Sequence, residues 1–172
     1  IINGVERIIV PQLARSYVIF FTAQELKGRT YFGAKIIPAR GAWVEIESEA
    51  DDAIYVKIDR KRKFPISSLL RVFGVETEEA MIDLFREVPH AEKHLKATLE
   101  KDPAKTTDES FIEIYKRLRD GDLATVENAK EFVHSIFAPE RYDLSEIGRH
   151  HFNERFGLGL SKKDTDVRTV SI

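Results

Sequence analysis

A chain of 172 residues that is 42% hydrophobic and 33% charged, with a net charge of -2, can bury one sizeable core and at most a small satellite, so one or two domains are expected. The absence of cysteine excludes a disulfide framework, a thiolate nucleophile and a zinc–cysteine site. No run of about eighteen apolar residues occurs, and the opening IINGVERIIV lacks the basic-then-apolar layout of a signal peptide, so the chain reads as cytoplasmic with no membrane span. It opens on Ile1 rather than methionine and is read as a piece of a longer polypeptide. Charge is unevenly spread. Residues 1–75 carry twelve Lys or Arg against eight Asp or Glu, and residues 76–172 carry fifteen against twenty-one. The first half is therefore the better candidate for touching phosphate.

In chain order, VERIIV, YVIFF, TYFGAKIIP, AWVEIES and AIYVKID are short, rich in β-branched and aromatic residues, and punctuated by LKGR, ARG and EADD. They predict antiparallel strands joined by turns. In AWVEIES the alternation sets Trp43, Glu45 and Glu47 on one face and Val44 and Ile46 on the other, so the only tryptophan falls on the polar side, at least partly exposed. From Pro65 the period becomes helical. PISSLLRVFG has its proline near the first turn and Gly74 as a stop, and ETEEAMIDLFRE begins with the acids that a helix N-terminus favours. TTDESFIEIYKRLR places Phe111, Ile114, Tyr115 and Leu118 on one stripe behind a Thr/Asp cap. TVENAKEFVHSIF repeats that pattern, and LSEIGRHHFNERFG ends at Gly157. The fold class is α+β, with a small antiparallel β-sheet in the N-terminal half and a cluster of helices in the C-terminal half.

The residues by themselves do not describe an autonomous enzyme. His90 and His94 stand at i,i+4 in HAEKH, a spacing that sets two imidazoles on one helix face, but no third ligand or HExxH frame accompanies them, and a solvated helix is the expectation. His150 and His151 point to different sides of their helix. Asp51 and Asp52 sit in a turn, Ser67 and Ser68 lie in a helical pattern without an elbow motif, and Gly33, Gly41 and Gly74 build no phosphate-cradling loop. Two features stay open on pattern. Arg60, Lys61, Arg62 and Lys63 form a basic run that suits either phosphate contact or a solvated turn. Trp43, behind Arg40 and Gly41, suits either stacking on an unpaired base or filling a rim of the core.

Several longer blocks carry a resemblance. INGVERIIVPQLARS resembles the ING-x-ERVIVSQL-x-RS segment of the bacterial RNA polymerase β subunit. AKIIPARGAWVEIE and VKIDRKRKFPISSLLRVFG resemble its RIIP-x-RG-x-W and IDRRRK-x-P-x-x-x-LLR-x-LG blocks, in the same order. In the helical half, IEIYKRLRDGD and PERYDLSEIGRHHFNERFGL resemble its IY-x-x-(L/M)RPG(E/D) and RYDL-x-x-(V/A)GR-x-K-x-N blocks. The chain is thereby identified as similar to the β-subunit lobe. On that resemblance, 1–16 form a strand leading into the lobe, 17–159 the lobe itself, β-rich over 17–64 and helical over 65–159, and 160–172 a polar tail.

The resemblance implies a non-catalytic wall of the main DNA channel of a nucleotidyltransferase, contacting downstream duplex and the non-template strand. The alternative is a surface chiefly for docking sigma or accessory factors. The expected partners are DNA, the remaining β, β′ and α subunits, and sigma. No cofactor is expected here, because the family's Mg-binding aspartates lie on β′. By residue match Trp43 corresponds to the tryptophan that stacks on an unpaired non-template base, and Arg15, Arg119 and Arg141 to arginines lining the same pocket. Any of these arginines could instead pair with a neighbouring acid. Arg40 and the run Arg60, Lys61, Arg62 and Lys63 are phosphate-contact candidates, and Arg7, Val10 and Gln12 match the edge of the family's rifamycin pocket. Two departures stand out. The family's RSPG reads Arg15-Ser16-Tyr17-Val18, and its RPGE reads Arg119-Asp120-Gly121-Asp122. The segment Val75 to Thr106 matches none of the quoted blocks.

Overall fold

The computed structural model describes residues 1–11, 13, 16–119, 121 and 123–159. Arg15, Gln12, Asp120 and the tail 160–172 lie outside these described residues.

A five-stranded antiparallel meander comes first, in the order β1 (Val18–Leu26), β2 (Arg29–Ile37), β3 (Val44–Ser48), β4 (Ile54–Ile58), β5 (Phe64–Pro65). LKGR closes the first hairpin. Leu26 pairs with Arg29, and Lys27 and Gly28 both take positive φ (51° and 75°), which a two-residue loop between right-twisted strands demands. The EADD turn is held by Asp51, whose carboxylate accepts from the Ala53 N–H at 3.2 Å and the Tyr55 hydroxyl at 3.0 Å. Alternation then sorts the residues. Ile19, Ile36, Val44, Val56 and Ile58 are buried on one face, and Lys35, Glu45, Glu47 and Lys57 meet across strands on the other, where Lys35 pairs with Glu45 and Lys57 with Glu47.

Six helices follow among the described residues: α1 (Ile66–Val72), α2 (Glu78–Leu84), α3 (Ala91–Lys101), α4 (Thr107–Leu118), α5 (Val126–Ile136) and α6 (Ser145–Phe156). The stripe Phe111, Ile114, Tyr115 of α4 and Ala129, Val133 of α5 complete the core over the sheet's apolar face, joined by Phe64, Leu69, Tyr142 and Leu144. The α+β reading is thus what the chain adopts, with sheet first and helices after. Gly157 caps α6 in the left-handed region, as its place after the last helical turn implied.

Three local expectations differ. VERIIV is not a strand: Ile2 and Val5 form an isolated bridge, and Ile8 and Ile9 are about nine-tenths exposed (89% and 92%), with no strand pairing with them among the described residues. The helix expected over ETEEAMIDLFRE is shorter, and α3 is a separate helix burying Leu95, Thr98 and Leu99. His90 sits before α3 with φ 66°, outside the helix that carries His94. The His94 Nδ1–H donates to the Asp52 carbonyl at 2.7 Å, tying α3 to the β3–β4 turn.

The cap of α4 yields a prediction. Thr106 Oγ1 accepts from the Glu109 N–H at 3.2 Å, and Glu109 accepts from the N–H groups of Lys105 (2.7 Å) and Thr106 (3.2 Å). Those backbone donors, Lys105 first, hold the Glu109 carboxyl below its ordinary value near 4.5. A depressed carboxyl supports the fold above its unfolded value, and that support is lost as pH falls through the folded one. Thr106→Ala should cost about 1 kcal/mol in urea unfolding. In the parent chain, protection of the first-turn amides of α4, taken relative to their intrinsic exchange rates, should fall selectively as pH drops below about 4.5, the ordinary carboxyl value.

Candidate nucleic-acid interface

Trp43 stands one residue before β3 and is half-buried. Its backbone is clamped to the end of β4: the Trp43 N–H donates to Asp59 Oδ1 at 2.8 Å, and the Asp59 N–H donates to the Trp43 carbonyl at 2.9 Å. Asp59 and Arg60 both lie in the left-handed region, at φ 50° and 59°. Such a backbone costs a residue bearing a Cβ on the order of 1 kcal/mol or more and reverses the chain immediately after the strand. The reversal carries the Arg60 guanidinium over the indole, 4.8 Å from the ring centroid, while Lys35 of β2 places its ammonium 5.4 Å away. The ring is thus an aromatic platform among cations, each interaction worth roughly 0.5–1 kcal/mol at an exposed site. A base stacked on an aromatic side chain contributes more, roughly 1–3 kcal/mol. The cleft beside the indole has a volume of about 670 Å³, and Tyr17, Phe20, Thr22, Lys35, Gly41 and Glu45 are among its walls.

The basic run does not form one cradle. Arg60 covers Trp43, whereas Lys63 pairs with Glu49 at 2.5 Å and lies 4.5 Å from the Tyr55 ring centroid. Lys61 and Arg62 are exposed.

Arg119 and Arg141 come together, from the end of α4 and the loop after α5. Both are exposed and line one shallow depression of about 270 Å³ with Tyr115, Asn128, Phe132 and Ser135. The Arg119 guanidinium lies 5.0 Å from the Phe132 ring centroid, and Arg141 Nη1 donates to Ser135 Oγ at 3.4 Å. Trp43 lines the other cleft, so the indole and these two arginines occupy separate sites. A seam joins them. Arg40 and Asp143 exchange backbone hydrogen bonds at 3.0 and 2.8 Å, and Gly41, in the wall of the Trp43 cleft, lies directly against Arg141 and Tyr142. Tyr142 is fully buried at that seam, its hydroxyl has no partner among the described residues, and burial, followed by the Asp59 charge, pushes its phenol far up. Arg40 is exposed beside it, and Arg7 and Val10 are exposed on the N-terminal segment.

Two structurally decisive groups escape sequence reasoning. Asp59 hides inside VKIDRKRK, where only its left-handed backbone reveals it as the clamp of Trp43. Arg71 and Asp102 form a buried ion pair at 2.8 Å, both side chains no more than 1% exposed, and Ser67 and Ser68 donate to the same carboxylate. No periodicity links residues on α1 to one beyond the end of α3. Among the described residues, no group of three or more His, Asp or Glu is placed to hold a metal ion, and no helix is long and apolar enough to cross a membrane.

A family model described as RNA polymerase Rpb2, domain 2, matches residues 14–170. The DNA-directed RNA polymerase subunit beta of Staphylococcus saprophyticus is 48% identical over 92% of this chain and 13% of its own length. The subunit of the same name from an Exiguobacterium species is 47% identical over 100% of the chain and 15% of its own length, and that of Clostridium perfringens is 46% identical over 93% and 13%. The chain therefore spans 13–15% of the length of these relatives. With a matched model over nearly all its residues and bacterial β subunits at this level of identity, the chain belongs to the RNA polymerase Rpb2 domain 2 family.

Proposed function

We propose that this domain is the non-catalytic lobe of a bacterial RNA polymerase β subunit, a wall of the DNA channel that touches downstream duplex and takes up the unpaired non-template strand. The observation that carries the reading is the Trp43 platform, a half-exposed indole among Lys35 and Arg60, whose cleft wall at Gly41 meets the Arg141 backbone, with the Arg141 side chain beside Arg119 in a separate depression. An indole face accepts any base, and guanidinium forks suit phosphate and base-edge acceptors. Arg40 and Lys61 add positive charge along the same half of the chain. In this reading Arg15 joins the arginines, Arg7, Val10 and Gln12 contribute only an edge to a drug pocket, the catalytic Mg is bound on β′, and the other polymerase subunits and sigma are the cytoplasmic partners.

Trp43 is the sole tryptophan, so its emission reports on the site directly. Forked DNA and single strand should quench it more than matched duplex. Arg119→Ala and Arg141→Ala should each weaken binding and flatten the salt dependence, by about 0.7 in log–log slope for each single-strand phosphate that is no longer neutralised. Equal quenching by matched duplex, or unchanged affinity in Trp43→Leu measured by anisotropy of labelled DNA, would count against the proposal.

A second reading, docking of a protein factor, is favoured by one observation. Phe21 and Phe32 on the β1–β2 hairpin are 51% and 66% exposed, on the sheet face opposite the one that carries Lys35, Glu45 and Trp43.

A further inference from the structure

We infer that Arg60 is a placeholder for the base: in the free protein its guanidinium covers the Trp43 indole, and when an unpaired base arrives it leaves the ring and takes a phosphate of the same strand. The inference rests on the base-stacking reading of Trp43 and adds to it an order of events.

Three observations carry it. The first is geometric. The guanidinium, a planar delocalised cation, sits 4.8 Å from the indole centroid, in the space a stacked base would occupy. The second is the backbone. Arg60 holds φ 59° and its neighbour Asp59 φ 50°, two consecutive left-handed residues without a glycine, and the paired hydrogen bonds between Asp59 and Trp43 keep that turn in place. Strain held at two adjacent residues with a cation aimed at a ring is an arrangement the surrounding fold maintains. The third is mobility of the right group. Arg60 is exposed, so its head can swing without disturbing the core, whereas the other cation over the ring, Lys35, is tied to Glu45, and Lys63 of the same basic run is tied to Glu49. A guanidinium on an exposed ring is the weaker partner and a base the stronger, so the exchange runs toward the base. The displaced charge then meets the strand it made room for.

The test uses the 172-residue chain, a short single-stranded oligonucleotide, and its methylphosphonate analogue, which keeps the bases and removes the backbone charge. In the free protein the side-chain protons of Arg60 should show upfield ring-current shifts in NMR that vanish on saturation with the native strand. Arg60→Ala and Arg60→Gln, both checked for an unchanged fold by circular dichroism, should bind the neutral strand about two- to five-fold more tightly than the parent, because the competitor is gone. The same variants should bind the native strand with a salt slope shallower by about 0.7. Equal or weaker binding of the neutral strand by both variants, with Trp43 emission still responding, overturns the placeholder and leaves base stacking standing. If neither strand changes Trp43 emission in parent or variants, base stacking itself fails, and the placeholder fails with it.

Discussion

Asp102→Ala should destabilise the domain by about 3–5 kcal/mol, a large share of the roughly 5–15 kcal/mol that typically holds a domain folded. Asp102 follows the last turn of α3 and meets Arg71 of α1 in the interior. Arg71 Nη1 donates to its carboxylate at 2.8 Å and to the Ala104 carbonyl at 3.0 Å, and the Ala104 N–H donates back to the carboxylate at 3.0 Å. Ser67 and Ser68 supply hydroxyl donors from the first turn of α1. Removing the carboxylate therefore strands a guanidinium that is 1% exposed and whose Nε and Nη2 already have no partner among the described residues. The destabilisation comes from the uncompensated charge rather than from any large net strength of the pair. The double variant Arg71→Met, Asp102→Leu should accordingly recover much of the stability that either single variant forfeits. Urea unfolding followed by circular dichroism decides it. A cost below about 1 kcal/mol for Asp102→Ala would mean that solvent reaches the guanidinium and that the network is not what joins α1 to α3.

Gly41→Val should be the next most damaging change, at about 2–5 kcal/mol, from two independent costs. At φ 116° the position lies where side-chain-bearing residues are strained. An added Cβ would also stand 2.9 Å from the Tyr142 ring, 3.0 Å from the Arg141 carbonyl and 3.1 Å from the Tyr142 Cα. None of these neighbours can yield cheaply, because two are backbone and the third belongs to a side chain with 0% exposure. Gly28→Ala is the informative control, since φ is 75° there but nothing lies within 4 Å, leaving conformational strain alone at about 1 kcal/mol. Because Gly41 lines the Trp43 cleft and packs on Tyr142, Gly41→Val should also shift Trp43 emission in the absence of DNA. A variant as stable as the Gly28→Ala control would show that the seam gives way without cost.

The glycine in RGAW is thus explained by packing that the sequence never states. The tryptophan beside it is a different case. Alternation in AWVEIES already assigned Trp43 to the polar face with Glu45 and Glu47, and the strand register sets those two glutamates opposite Lys35, Lys57 and Tyr55. What alternation could not indicate is which side chain meets the ring. Arg60 is seventeen positions away in a run of four cations, and only the left-handed turn after β4 singles it out.

By itself the sequence determined much of what depends on neighbours a few positions apart: the LKGR hairpin, the apolar and polar faces of β3, a threonine cap before α4, the buried stripe of α4, the Gly157 stop, and the motif order that marks the family. These are legible because local backbone sterics, capping and the periods of strand and helix act over one turn or one strand pair. Tertiary structure alone decided that, among the described residues, VERIIV has no pairing beyond the Ile2–Val5 bridge, since a strand exists only with a partner to accept its hydrogen bonds. It also brought Arg71 to Asp102 across thirty-one positions, set Arg119 beside Arg141, and sealed Gly41 against Tyr142. Those pairings join segments whose separation along the chain carries no periodic signal, and they form as the helices pack over the sheet and close the shared core.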